Sequence, residues 1–255
     1  MTAATDPALP TDLDAGLRRL KLSAIRRLAP ELLIDAHPQR WRPEELLRTL
    51  INAQLAARNA SNTRNRMKTA AFPVIKTIEE LDIAASTIPA ALDYLASWDG
   101  PAPPRTTARP AGTGSHTLVA FGVATVQAGH MVRYFTAAEL VETLYRGLAD
   151  NSVGRVIDAV LRADLVIIDE VEFAPLDDTG AQLLFRFVAA AYERRALGIG
   201  SHWPFDQRSR FLPEHTTAVS LLDRLLHHSH VVVTEGESFR MRQARTRTDR
   251  RLTTT

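Results

Sequence analysis

Residues 164–170 read Asp-Leu-Val-Ile-Ile-Asp-Glu, and this run constrains the fold more than any other segment. Four consecutive aliphatics without alternation make a strand covered on both faces, the condition of a parallel sheet between helical layers. Two carboxylates close the run. Ligands of open α/β sheets bind at the C-terminal ends of the strands, so Asp169 and Glu170 are candidate site residues. The flanking sequence supplies the rest of such a sheet. Helical periodicity covers Thr117 to Ala128, and a strand follows over Met131 to Phe135. Helices are expected from Ala137 to Asp150 and from Val153 to Leu161. Past the Leu165 to Asp169 strand, a helix spans Thr179 to Arg195, with Asp177 or Asp178 as its N-cap. A strand weakened by glycines (Leu197 to Ser201), a helix (Val219 to His228) and a last strand (Val231 to Thr234) complete the alternation. Helices between strands imply a mostly parallel sheet covered on both faces.

The N-terminal part is different. Leu13, Leu17, Leu20, Ile25 and Leu28, then Leu46, Leu47, Leu50, Ile51 and Leu55, recur near helical spacing, so residues 12 to 68 read as helix. Pro43 followed by Glu44 and Glu45 is the first turn of a long helix. One or two shorter helices are expected between Ile78 and Leu95. Between Asp99 and Pro110 the chain holds four prolines and two arginines and no large aliphatic side chain, which reads as a loop.

Charge is nearly balanced at +2 but unevenly placed. Arg58, Arg64, Arg66, Lys68 and Lys76 lie in a stretch without acids, and from Arg240 onward six arginines face only Asp249. Such clusters suit phosphate backbones, so the first set is the candidate DNA-binding set; a solvated helix face is the plainer alternative. The absence of cysteine excludes disulfides, thiolate metal sites and cysteine nucleophiles. No apolar run approaches a membrane span and the N-terminus has no signal-peptide core, so a cytoplasmic protein is expected. His227, His228 and His230 do not make a metal site, because adjacent helix residues point apart and no carboxylate completes a set. Arg194 and Arg195 read as a helix C-terminal pair.

The second chemical signal is Pro110-Ala111-Gly112-Thr113-Gly114-Ser115-His116, opening a helix. A glycine-rich turn at a helix N-terminus presents N–H groups and the positive end of the dipole to a phosphate. The full phosphate-loop motif is G-x-x-x-x-G-K-[ST], and this chain departs from it: Arg109 stands at the first glycine, and no lysine follows Gly114.

Together these segments resemble the IstB-like transposition helpers, ATPases of the AAA+ group related to DnaC-type helicase loaders. The resemblance rests on GTGSH (112–116), GVATVQAGHMVRYFTAAELVE (122–142), DLVIIDE (164–170), Pro175-Leu176 with DDTGAQLLF (177–185), YERR (192–195), SHWPF (201–205) and LLDRLLHHSHVVVTEGESFRMR (221–242). LKLSAIRRL (20–28) and AFPVIKTIEELDI (71–83) resemble that family's helical domain. The resemblance implies a P-loop AAA+ parallel sheet covered by helices behind a small all-helical domain. It divides the chain into a helical domain (1–97), an irregular linker replacing the first strand (98–111), an ATP-binding domain (112–243) and a basic tail (244–255).

By the same resemblance the cofactors are ATP and Mg²⁺, and residues 110–116 bind the nucleotide. Asp169 is the Mg²⁺-linked acid together with the Ser115 hydroxyl, and Glu170 orients the attacking water. His202 stands at a polar sensor position, and Arg224 is the candidate for an arginine reaching a phosphate, with a helix-surface ion pair as its alternative. The implied partners are duplex DNA, a cognate transposase and further copies of the chain on DNA. The turn is one residue shorter than the family's, so the lysine itself is missing and Ser115 keeps the hydroxyl position. Without lysine and without a supporting strand, hydrolysis is expected to be impaired. Two alternatives stay open: a helicase-loader-like replication protein, and a decayed relic of the helper.

Overall fold

The computed structural model describes residues 8–36, 38–80, 105–110, 114–171, 177–192, 194–201 and 229–234; for 105–110, 114 and 229–234 it describes the backbone alone. The chain divides into two compact units, Met1–Asn65 and Arg66–Thr255.

The first unit is helical, with α1 (Thr11–Arg19), α2 (Ser23–Ala36) and the larger part of α3 (Pro43–Ala70). As the sequence predicts, α3 starts on Pro43, whose missing N–H costs nothing in a first turn. The Arg42 N–H donates to Glu45 Oε2 at 3.1 Å and fixes the entry. Asp14 accepts from Arg18 at 2.8 Å and from Arg26 at 2.6 Å, tying α1 to α2. Gln54 of α3 is buried, and its Oε1 accepts from the Ala24 and Ile25 N–H groups at 3.0 and 3.3 Å. One amide side chain thereby satisfies two of the unpaired donors that open α2.

The second unit is a five-stranded parallel sheet with helices on both faces. Its elements are β1 (Arg105–Pro110), α4 (Gly114–Gln127), β2 (Val132–Thr136), α5 (Ala137–Ala149), α6 (Val153–Val160), β3 (Leu165–Asp169), α7 (Asp178–Ala191), β4 (Ala196–Gly200) and β5 (Ser229–Thr234). The strand order is β2-β3-β4-β1-β5. Every residue of β3 is buried, as its unbroken aliphatic run requires.

Alternation along the strands builds two cores. On one face Leu165 and Ile167 join Val132 and Tyr134 under α4, with Ala70, Met67 and Phe72 from the end of α3 and just beyond. On the other, Val166, Ile168 and Phe135 pack against α5, α6 and α7. Two helix starts are explained by their caps. Thr136 and Glu139 form a reciprocal capping box on α5. The Asp177 side chain accepts from the Gly180 N–H at 2.7 Å on α7 and also takes the Tyr145 hydroxyl. That phenol bond, foremost, holds the Asp177 carboxyl below its ordinary range.

The close approach of α4 to the sheet is read from its glycine contacts. A Cβ on Gly198 would lie 3.4 Å from Leu118 and Ile167, and one on Gly122 of α4 would lie 2.7 Å from Phe72 and 2.8 Å from Ile167. Helix α4 sits so close to the sheet at Gly122 that a side chain there would have to displace Phe72 and Ile167, whereas one at Gly198 would make only ordinary contact.

One expectation is corrected. Residues 98–111 were expected to form an irregular linker in place of the first strand, yet Arg105–Pro110 is β1, paired in parallel with both β4 and β5. The proline-rich stretch is longer than the strand and lies mostly ahead of it. Three of the four prolines precede Arg105, and Pro110 is the last strand residue, where the missing N–H ends the ladder instead of interrupting it. Between them lies Arg-Thr-Thr-Ala-Arg, with two β-branched residues suited to a strand. The helix expected after Ile78 is described only as a 3₁₀ turn, Ile78–Glu80; the remainder of that expectation, the helix at 219–228 and the tail at 244–255 lie outside the described residues.

Candidate nucleotide site

Chain order places the site. The path leaves β1 through α4 to β2 at the far edge, then returns by β3 and β4 to lie beside β1 again, while β5 takes β1's other side. The order therefore reverses next to β1, and the C-terminal ends of β1, β4 and β3 together with the start of α4 frame the crevice where open α/β sheets bind ligands. Register puts Ala108 of β1 opposite Gly200 of β4, and Ile168 of β3 opposite Ile199. Asp169 is two strands from β1, about 10 Å at ordinary strand spacing.

Asp169 is only 2% exposed. It ends a strand paired on both sides, which is therefore interior to the sheet. Its Oδ2 accepts from the Tyr134 hydroxyl at 2.9 Å, and its Oδ1 accepts from the Glu170 N–H at 2.9 Å. A Cβ on Gly200 would lie 2.1 Å from that Oδ1, so the carboxylate occupies space that only glycine leaves free. Burial first, and the Asp169 charge second, push the Tyr134 phenol well above its ordinary pKa, which keeps it a donor. Glu170 is exposed and takes a φ of 56°, the left-handed region that a residue with a Cβ enters at a cost. Strain of this kind is found at functional sites. The turn directs the two acids differently, one inward and one to solvent.

A carboxylate offers about four acceptor positions, and two of those on Asp169 are taken. The remainder suit a water molecule held by a hard cation better than direct ligation at a buried, already paired group. Among the described residues no cluster of three or more His, Asp or Glu is present, and a cation held chiefly by nucleotide phosphates and water needs none. The free acceptor positions of Asp169 thus fit a cation brought with a nucleotide and reached through water.

The other expected site residues fall as follows. Pro110 ends β1 and Gly114 begins α4, so the glycine turn joins a strand to a helix N-terminus. Ser115 and His116 are half-buried in the first turn of α4, with Thr117 and Leu118 buried behind them. Ala111, Gly112, Thr113, His202 and Arg224 lie outside the described residues. Arg58, Arg64 and Lys68 are exposed on α3 and Arg66 is half-buried; Lys76 lies beyond the helix and pairs with Glu80 at 3.6 Å. Arg194 donates to the Ala190 carbonyl as a helix C-terminal residue should, whereas Arg195 turns away to the Leu161 carbonyl at 2.7 Å. Sequence reasoning missed Tyr134 and Gly200. The signals available were a tyrosine on the α4 face of β2 and glycines two apart on one face of β4.

A family model described as IstB-like ATP binding protein matches residues 15–247. The chain belongs to this family. A protein named for ATP binding in insertion sequence IS21 of Pseudomonas aeruginosa is 28% identical over 242 residues, covering 92% of this chain and 90% of the relative. A protein of similar name from an insertion sequence of Mycobacterium tuberculosis is 27% identical over 249 residues, covering 95% and 98%. Among solved structures, DnaI superposes with a TM-score of 0.52 at 13% identity, over 63% of this chain and 91% of DnaI. The replication initiator DnaA, solved with AMPPCP and single-stranded DNA, superposes with a TM-score of 0.50 at 18% identity, over 63% of this chain and 50% of DnaA. At these identities the structural likeness establishes the fold, which is of the P-loop AAA+ type. No described helix of this IstB-like protein is long and apolar enough to cross a membrane.

Proposed function

We propose that this IstB-like protein is an insertion-sequence transposition helper that binds duplex DNA and assists a transposase. On this reading it binds ATP with Mg²⁺ weakly and hydrolyses it poorly, because its phosphate loop lacks the lysine. The family match over residues 15–247, with relatives named from insertion sequences, carries the reading. Asp169 and Glu170 at the C-terminal end of an interior strand support the nucleotide role. Bound there, the nucleotide would supply a phosphate anhydride and the cation charge neutralisation. Ser115 and Asp169 would orient the cation, and exposed Glu170 would accept a proton from water. A lost lysine removes charge-assisted phosphate contacts worth about 1.5–3 kcal/mol each, or roughly 10- to 150-fold in affinity per contact.

The DNA role is assigned to the acid-free end of α3, with residues 1–97 as the DNA- or partner-binding part, residues 112–243 as the nucleotide part and the tail from 244 as an auxiliary basic arm. Several copies would line the duplex. The test is duplex binding across salt concentrations. Affinity should fall steeply as salt rises, and replacing Arg64, Arg66 and Lys68 with glutamine should weaken binding to all sequences alike and flatten the salt slope. A flat salt dependence in the native chain would exclude the DNA role and favour a loader-like protein whose helical part grips another protein.

A further inference from the structure

The Tyr134–Asp169 bond joins neighbouring strands across an offset. Register sets Thr136 opposite Asp169 and Tyr134 opposite Ile167, so the phenol reaches diagonally along one face. Its ring is fixed before it meets the carboxylate: Tyr134 is 8% exposed and packs edge-on against Phe72, with ring centres 6.2 Å apart at 62°. For packing alone a phenylalanine would serve in this apolar cluster. The hydroxyl adds a single bond, and that bond goes to the site acid. From Asp169 the chain continues, because the other carboxylate oxygen holds the Glu170 N–H in its left-handed turn.

We infer that Tyr134 is a positioning residue of the nucleotide site, gripping the Asp169 carboxylate and, through it, the turn that carries Glu170. The inference rests on the proposed Mg²⁺-linked role of Asp169. Without the hydroxyl, Asp169 Oδ2 has no donor among the described residues in a buried setting, and the carboxylate can turn away from the orientation in which it meets a hydrated cation. Groups that orient metal-site residues from behind change metal affinity by about 10- to 100-fold when removed.

The test is Tyr134→Phe in the full chain, which keeps the ring against Phe72. Without nucleotide, amide deuterium exchange at Glu170 should quicken about tenfold, the equivalent of one charge-assisted bond, while Val166 to Ile168 in β3 stay as protected as before. With a fluorescent ATP analogue, the metal-free Kd should be unchanged, and the Mg²⁺ concentration at half-effect should rise about 10- to 100-fold. Phe72→Leu, which disturbs the packing and spares the hydroxyl, should leave that Mg²⁺ midpoint in place. Unchanged exchange at Glu170 overturns the inference, as does an unchanged Mg²⁺ midpoint or an equal loss of affinity with and without metal. A native chain whose nucleotide binding ignores Mg²⁺ overturns the metal role of Asp169 itself, and the exchange result then separates the two failures.

Discussion

A methyl group at Gly200 has nowhere to go. Built on the backbone, its carbon lies 2.1 Å from Asp169 Oδ1, 2.9 Å from Leu118 Cδ1 and 3.0 Å from Asp169 Cγ. Neither neighbour can swing into solvent, since each is 2% exposed. Gly200→Ala must therefore move the strand or expel the carboxylate. Overpacking of this sort costs about 1–3 kcal/mol, and losing one of the two bonds to the carboxylate adds about 1.5–3 kcal/mol, for a total of about 2.5–6 kcal/mol. For a unit of this size that lowers Tm by about 5–24 °C. Thermal and urea unfolding followed by circular dichroism measure it, with the denaturant slope expected to stay the same. Gly198→Ala, two residues earlier on the same face, is the internal control. Its nearest contacts are at 3.4 Å, and the reduced freedom of the unfolded chain offsets the slight crowding, so it should lie within about 1 kcal/mol of the native chain. Equal stability of Gly200→Ala and the native protein, or equal losses for both substitutions, would refute the idea that Gly200 cradles the carboxylate.

Two further substitutions probe the elements that hold the frame. Gln54→Leu removes the acceptor shared by the Ala24 and Ile25 N–H groups and should cost the helical unit about 1–3 kcal/mol, read from its denaturant midpoint. A loss below roughly 0.5 kcal/mol, the scatter of surface substitutions, would mean the bonds contribute little. Thr136→Val breaks the capping box on α5 and should cost about 1 kcal/mol by the same measurement, with a neutral result counting against the cap.

The sequence carried the α4-to-β4 half of the sheet well because its signals are local. The aliphatic run of β3 fits only a strand covered on both faces, and its expected span, Leu165 to Asp169, is the one observed. The cap was readable as Asp177 or Asp178, because a short acid ahead of a helical pattern has few other uses, and it is Asp177. The expected helix to Arg195 instead stops at Ala191, since Arg195 is drawn to the Leu161 carbonyl, a partner distant in sequence. Strand β1 was hidden by composition: prolines clustered before it outweighed the Thr106-Thr107 pair, and its pairing with β4 and β5 is set by residues some 90 and 124 positions later in the chain. The placing of the two acids at the end of an interior strand was legible, and what holds them was not. Tyr134 reads as one more apolar-face residue until β2 lies beside β3, and Gly200 reads as a strand weakness until Asp169 fills its space.

The central proposal is that the IstB-like protein keeps a nucleotide-binding frame and that the residue missing from its phosphate loop costs it turnover. The measurement that tests it most directly is ATP binding and hydrolysis, with and without duplex DNA, for the native chain and for a chain with lysine inserted between Gly114 and Ser115. Because β1 is in place between β4 and β5, the phosphate loop has the supporting strand it needs, and the insertion alone should act. The native chain should show negligible turnover under both conditions. The insertion should raise ATP affinity about 10- to 150-fold and bring measurable hydrolysis. Robust DNA-stimulated hydrolysis by the native chain, or no gain from the insertion, would contradict the account.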